Sequence, residues 1–241
     1  MRIDKRKNDE LRPVSAQTGT LKNAHGSVLF SMGNTEVLAS VMIEEGVPAF
    51  MDGKGQGWLT AEYAMLPAST PRRKARSAKG QDGRATEISR LIGRSLRSIL
   101  DLSALDGHTI YIDCDVLSAD GGTRTAAISG AYIALMIATD KAVKKGTIAR
   151  TPVLSQLAAV SAGIVDDEAL LDLCYKEDSG AQADMNLVAG ADGSISEVQI
   201  SGEKRTVSEE EFATLLRICK KGIGEILQVQ RNALEKEGVM L

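Results

Sequence analysis

Three groups of residues have the types and spacing to do chemistry. Residues 71–84 read PRRKARSAKGQDGR and set six basic side chains, Arg72, Arg73, Lys74, Arg76, Lys79 and Arg84, against one acid, Asp82. A loop of that charge attracts a phosphodiester backbone and displaces its counterions. The same composition also suits a solvated loop with no partner. Asp120-Gly121-Gly122-Thr123-Arg124-Thr125 places two glycines before a helix start. Glycine lets backbone amides approach an anion, and a helix N-terminus carries positive partial charge. Thr123 adds a hydroxyl and Arg124 a bidentate fork. A P-loop is excluded, because G-x-x-x-x-G-K-[ST] does not occur. The bland alternative is an ordinary helix start capped by Thr. Glu177-Asp178 and Asp184 form the third group, in which carboxylates at a sheet rim could hold Mg²⁺ or carry a proton. Its alternative is an acidic turn, Asp178 capping and Asp184 in solvent. Two phosphate-seeking elements beside a carboxylate pair suggest phosphoryl chemistry on a nucleic acid.

The elements that must position these groups follow from periodicity. Gly26–Met32 and Thr35–Glu45 are β-rich runs joined by Gly33-Asn34, a dipeptide suited to a tight hairpin. Residues 57–66 form a third strand, and residues 67–83 lack periodicity and form a loop. Over residues 84–100, Ile88, Leu91, Ile92, Leu96, Ile99 and Leu100 fall on one helical face. Arg90, Arg94 and Arg97 extend the positive charge along that helix, where a plain solvent face is expected. Residues 109–117 alternate, with Ile110, Ile112, Cys114 and Val116 on one side and Tyr111, Asp113 and Asp115 on the other. Thr123–Lys144 is apolar nearly all round and predicts a buried helix. Strands are predicted over residues 157–165, 169–176, 185–189 and 194–201, with a turn at Ala191-Asp192-Gly193. Ser208 with Glu211 makes a capping box that opens a long final helix. Strands, helix, strand, helix, strands, helix is an α+β order with mixed sheets, read as one domain over residues 1–241.

Composition narrows the chemistry. The chain has 241 residues, net charge −3, and 43% hydrophobic and 25% charged residues, which excludes a disordered chain. The longest unbroken apolar run is eight residues, 131–138, so no membrane span is expected. The charged start, Met1 to Lys7, has no apolar stretch behind it, so no secretory signal is expected. Three cysteines without C-x-x-C argue against a disulfide framework or thiolate zinc site and fit a reducing cytoplasm. Two histidines leave little room for a multi-histidine metal site or a Ser-His-Asp triad. Eight aromatic residues argue against a reader that stacks bases on rings. Carboxylates, arginines and backbone amides are left to carry any catalysis.

At these residues the sequence resembles the ribonuclease PH family, related to exosome ring subunits. Residues 8–13 (NDELRP) resemble the family's opening, and residues 55–67 (GQGWLTAEYAMLP) resemble its G-Q-G-W-V-T-A-E-Y-G-M-L-P. Gly83-Arg84 with Glu87-Ile88 and residues 90–94 resemble its arginine-bearing helix. Residues 113–117 (DCDVL) and 119–125 (ADGGTRT) nearly reproduce its signature, and residues 177–186 resemble its acidic motif. Departures exist: Asp4-Lys5-Arg6 stands where the family has D-G-R, Ala64 where it has Gly, and Ala68 where Arg is common. The basic loop is two residues shorter before Arg84, and residues 200–205 (ISGEKR) differ from the usual G-T-A-E-G.

The resemblance implies β-α-β crossovers of left-handed sense, against the usual rule, and a cytoplasmic homohexamer built as a trimer of dimers. It implies a phosphorolytic 3′→5′ exoribonuclease that trims the 3′ ends of transfer RNA precursors. The partner is RNA rather than DNA, inorganic phosphate is co-substrate, Mg²⁺ is the cofactor, and nucleoside diphosphate is product and reverse substrate. Carried over by residue, Arg84, Gly122, Thr123 and Arg124 bind phosphate, and Arg72, Arg73 and Arg76 contact RNA. Asp178 and Asp184 hold the metal and serve catalysis, with Asp184 the stronger candidate acid. Two other readings compete. A catalytically silent RNA-binding ring subunit is disfavoured by the presence of Arg84, Thr123, Arg124 and Asp184. A hydrolytic nuclease would use metal-activated water and release nucleoside monophosphate.

Overall fold

The computed structural model describes residues 2–76 and 82–240, so Lys79 of the basic loop lies outside the described residues. Strands β1 (Val14–Thr18), β2 (Gly26–Met32), β3 (Thr35–Glu45), β4 (Trp58–Met65) and β5 (His108–Ser118) form one sheet in the order β1-β2-β3-β5-β4. Strands β4 and β5 are parallel and the other neighbours antiparallel. Helix α1 (Gly83–Arg97) lies in the β4–β5 connection. A second, antiparallel sheet has the order β7-β6-β8-β9, from β6 (Leu157–Val165), β7 (Glu168–Leu171), β8 (Ala183–Gly190) and β9 (Ile195–Gly202). Helix α2 (Thr123–Lys144) packs against both sheets, α3 (Tyr175–Asp178) is one turn, and α4 (Glu209–Lys236) covers the second sheet.

The α2 interface explains its composition. By length and apolarity α2 could cross a bilayer, although its longest apolar run is short, yet 83% of its most apolar window is buried. Gly26 of β2 is obligatory there, because a Cβ would sit 2.0 Å from the Ala134 carbonyl oxygen. On the other side the Ser129 hydroxyl donates to Ala159 O (3.1 Å) and accepts from Ala159 N–H (3.0 Å). Gln230 of α4, fully buried, donates to Ser129 O and Leu157 O and accepts from Gln156 Nε2. One apolar cluster runs through both sheets and their helices. Each large side chain buried there contributes about 1.5–3 kcal/mol.

The predicted alternation of the β5 segment holds: Ile110, Ile112, Cys114 and Val116 are buried, and Tyr111 and Asp113 face out. Two segments differ from expectation. Strand β1 has no predicted counterpart, because Val14 and Ala16 are only partly buried and Ser15 and Gln17 exposed, a weak alternation. The strand expected over residues 169–176 stops at Leu171, where Asp172 turns left-handed (φ 54°), and α3 follows.

Candidate active site

The glycine turn sits between β5 and α2. Gly121 (φ 76°) and Gly122 (φ 65°) are both left-handed, and a Cβ on Gly121 would strike Leu173 O at 2.4 Å. The cap of α2 is Gly122 rather than a threonine, and no side chain caps the helix. The first turn also holds no acidic residue. The N–H groups of Thr123, Arg124 and Thr125 precede the first intrahelical bond, from Ala126 N–H to Gly122 O (3.0 Å). A helix start left this way has backbone N–H groups available to an anion.

Helix α1 brings a second start to the same place. Asp82 caps it by accepting from Ala85 N–H (3.1 Å) and pairs with Lys74 (3.0 Å), which pins the end of the basic loop. Arg84 is exposed in the first turn. Arg124, 19% exposed, donates to Gln199 Oε1 of β9 (3.0 Å) and lies 3.4 Å from Glu87. Buried Tyr63 of β4 donates its hydroxyl to Thr123 Oγ1 (2.8 Å). Desolvation pushes that phenol upward against the opposing pull of Arg84 and Arg124, so it stays protonated.

The carboxylates face these arginines. Asp178 closes α3 at the surface, and Asp184 is half-buried near the start of β8. Desolvation raises the Asp178 carboxyl, with Arg84 and Arg124 opposing and Glu203 reinforcing. Desolvation also raises Asp184, reinforced by Asp178 and Glu203 and opposed by Arg124. Asn186 Nδ2 lies 3.4 Å from Asp184 Oδ2. Arg84, Arg124, Asp178 and Asp184 are thus one electrostatic unit. Its donor set fits Mg²⁺, since the oxygen ligands are hard and crowded like charges favour a cation. No group of three or more His, Cys, Asp or Glu side chains able to enclose an ion occurs among the described residues.

Glu177 belongs to a different assembly. Its carboxylate accepts from Arg2 Nε (2.9 Å) and Nη2 (2.8 Å), with side chains 5% and 1% exposed. Buried Asp172 takes Arg12 Nε (2.9 Å), Nη2 (2.7 Å) and backbone N–H (2.9 Å). Arg12 also donates to the carbonyls of Asp120 and Gly121, and Arg2 and Arg6 donate to the Asp172 carbonyl. Asp120 accepts from Tyr175 N–H (3.0 Å), joining the glycine turn to α3. The N-terminal segment therefore clamps both halves of the site. Lys5 sits left-handed (φ 65°) at the position where the family motif has glycine. Spacing offered no signal for Arg2, Arg6 or Asp172, whose partners lie about 160 to 175 residues away in sequence.

The structure does not bring Arg72, Arg73 and Arg76 into contact with this unit. All three are exposed on the loop after β4, and Arg76 lies near enough to Asp115 to oppose the rise that desolvation causes there. Arg94 and Arg97 are not a plain solvent face. Arg94 pairs with Glu197 of β9, and Arg97 lies 4.5 Å from the Trp58 ring centroid and donates to Leu59 O (2.8 Å).

Comparisons with known proteins fit this geometry. Sequence models of the 3′ exoribonuclease family match residues 10–139 (domain 1) and 155–222 (domain 2). The ribonuclease PH of Halalkalibacterium halodurans is 50% identical over 238 residues, covering 97% of this chain and 92% of that protein. The ribonuclease PH of Exiguobacterium sibiricum is 48% identical over 236 residues, with 97% and 94% covered. The Archaeoglobus fulgidus exosome structure with RNA bound to the active site superposes with TM-score 0.81 at 24% identity, covering 94% of this chain and 91% of that one. An archaeal exosome core gives TM-score 0.77 at 23% identity, with 95% and 91% covered. The chain belongs to the 3′ exoribonuclease family, on its ribonuclease PH branch.

Proposed function

We propose that this protein is a phosphorolytic 3′→5′ exoribonuclease that trims the 3′ ends of transfer RNA precursors. The observation that carries the reading is the convergence of two helix starts, bearing Arg84 and Thr123-Arg124, opposite Asp178 and Asp184. Phosphorolysis gives a second anion site beside the scissile phosphate a direct use, because inorganic phosphate is the nucleophile. Here inorganic phosphate rests on the Gly122–Arg124 turn, oriented by the Thr123 hydroxyl and the Arg124 fork. One of its oxygens attacks the terminal phosphodiester, the bond to the 3′-oxygen breaks, and nucleoside diphosphate leaves. Arg84 and Arg124 offset charge on the crowded oxygens. The departing 3′-oxygen takes up a proton, and Asp184, half-buried and facing Arg124, is the carboxyl placed to deliver it. Asp178 and Asp184 would hold Mg²⁺, which when bound neutralises charge on phosphate oxygens. A phosphoanhydride replaces a phosphodiester, so the step also runs in reverse from nucleoside diphosphate.

The exposed arginines Arg72, Arg73 and Arg76 guide the RNA strand towards this seat. Ile195, Val198 and Ile200, exposed on the edge strand β9, together with the likeness to exosome subunits, support a homohexameric ring, a trimer of dimers. Three free cysteines suit a reducing cytoplasm.

Arg84→Ala and Arg124→Ala should each lower phosphate-dependent trimming of a 3′-extended transfer RNA by at least about 100-fold while circular dichroism stays unchanged. Wild-type trimming by either variant would remove that arginine from the mechanism.

A further inference from the structure

We propose that Tyr63 is a positioning residue for the phosphate seat, directing the Thr123 hydroxyl proton at the anion and fixing the spacing between the two helix starts. This rests on the phosphorolytic reading of the site. Thr123 Oγ1 accepts from the Tyr63 hydroxyl at 2.8 Å. A threonine hydroxyl has one proton, and with a lone pair committed to Tyr63 that proton turns elsewhere. Thr125, two residues on, spends its proton on Gly122 O (2.9 Å). Thr123 donates to no acceptor among the described residues and stands in the first turn of α2, beside the free N–H groups. The phenol is buried, so no water competes for the bond.

The main chain of the same residue reaches the other helix. Tyr63 N–H donates to Ser89 Oγ (2.9 Å), and Ser89 Oγ donates to Ala85 O (2.8 Å), one residue beyond Arg84. Tyr63 thus holds α1 through its backbone and α2 through its side chain. Through Tyr63 the two bonds tie together the helices that carry Arg84 and Arg124.

The test is a double-mutant cycle of Tyr63→Phe and Thr123→Val, read as the Michaelis constants for inorganic phosphate and for RNA. Tyr63→Phe keeps the ring and should raise the phosphate constant about fivefold, the worth of one ordinary hydrogen bond, with the RNA constant unchanged. In the Thr123→Val background the same change should add less than twofold, since the bond is already gone. An equal rise in both backgrounds, a wild-type phosphate constant in Tyr63→Phe, or equal rises for phosphate and RNA would overturn the proposal. Should Tyr63→Phe fold poorly, Thr123→Ser keeps the hydroxyl, should restore the phosphate constant lost in Thr123→Val, and overturns the proposal if it does not. Isothermal titration of wild type and Tyr63→Phe with inorganic phosphate separates the two levels. Wild type that binds no phosphate overturns the phosphorolytic reading and this proposal with it. Wild type and variant binding phosphate equally overturn the positioning role alone.

Discussion

Arg12→Met tests whether the N-terminal segment clamps the site through buried charge. The Asp172 carboxylate is fully buried, and the Arg12 guanidinium supplies bonds of 2.9 and 2.7 Å to it. Methionine fills similar volume without a charge. Asp172 would keep the Arg12 backbone N–H (2.9 Å) and Arg6 Nη1 at 3.6 Å. Removing one partner of a buried pair costs about 3–5 kcal/mol, and the nearby Arg6 favours the low end, about 3 kcal/mol. For a chain of this size each kcal/mol moves the melting temperature by roughly 2–4 °C, so the fall should be roughly 6–12 °C. Urea unfolding followed by circular dichroism gives the free energy directly. Asp172→Asn added to Arg12→Met removes the stranded charge, and Asn tolerates the left-handed backbone at φ 54°. The double variant should regain at least half of the loss. Stability within about 0.5 kcal/mol of wild type for Arg12→Met, or no recovery in the double variant, would refute the buried-charge argument.

Three further outcomes follow from the site and its supports. Because the native protein raises the Asp184 carboxyl, it holds that proton to higher pH than the unfolded chain, and stability falls as pH rises from 3.8 through the raised value. Asp184→Asn should therefore melt higher than wild type near pH 8, match it below about pH 4, and lose phosphorolysis by at least about 100-fold; an equal melting temperature near pH 8 contradicts the sign. Arg124→Lys keeps the charge but loses the planar guanidinium that Nη1 anchors on Gln199 (3.0 Å), so its phosphate constant should rise at least about tenfold in steady-state assays. Lys5→Gly should stabilise by about 0.5 kcal/mol in urea titrations, since glycine relieves a left-handed backbone at the cost of some chain entropy.

What the sequence revealed depended on how local the physics was. The hairpin at Gly33-Asn34, the β5 alternation and the capping box of Ser208 and Glu211 are set by neighbours in the chain, and they occur where the pattern placed them. The glycine turn before α2 was visible for the same reason, although its cap proved to be Gly122. Arg94 and Arg97 misled because charge on a helix surface normally means solvent, whereas Glu197 and Trp58 come from other elements. Glu177 had the composition of an active-site acid, yet its partner is Arg2. Tyr63 was legible only inside the family-like motif, since its donor role depends on a helix start 60 residues away. Nothing in the local pattern distinguishes a carboxylate that works from one that holds the frame.

The central claim is that phosphate, not water, breaks the terminal phosphodiester at the seat formed by Arg84, Thr123 and Arg124. The direct measurement incubates the purified protein with a 3′-extended transfer RNA, Mg²⁺ and radiolabelled inorganic phosphate, then separates the released nucleotides. The account predicts label in nucleoside diphosphate and no release when phosphate is left out. Unlabelled nucleoside monophosphate, released with or without phosphate, would contradict it.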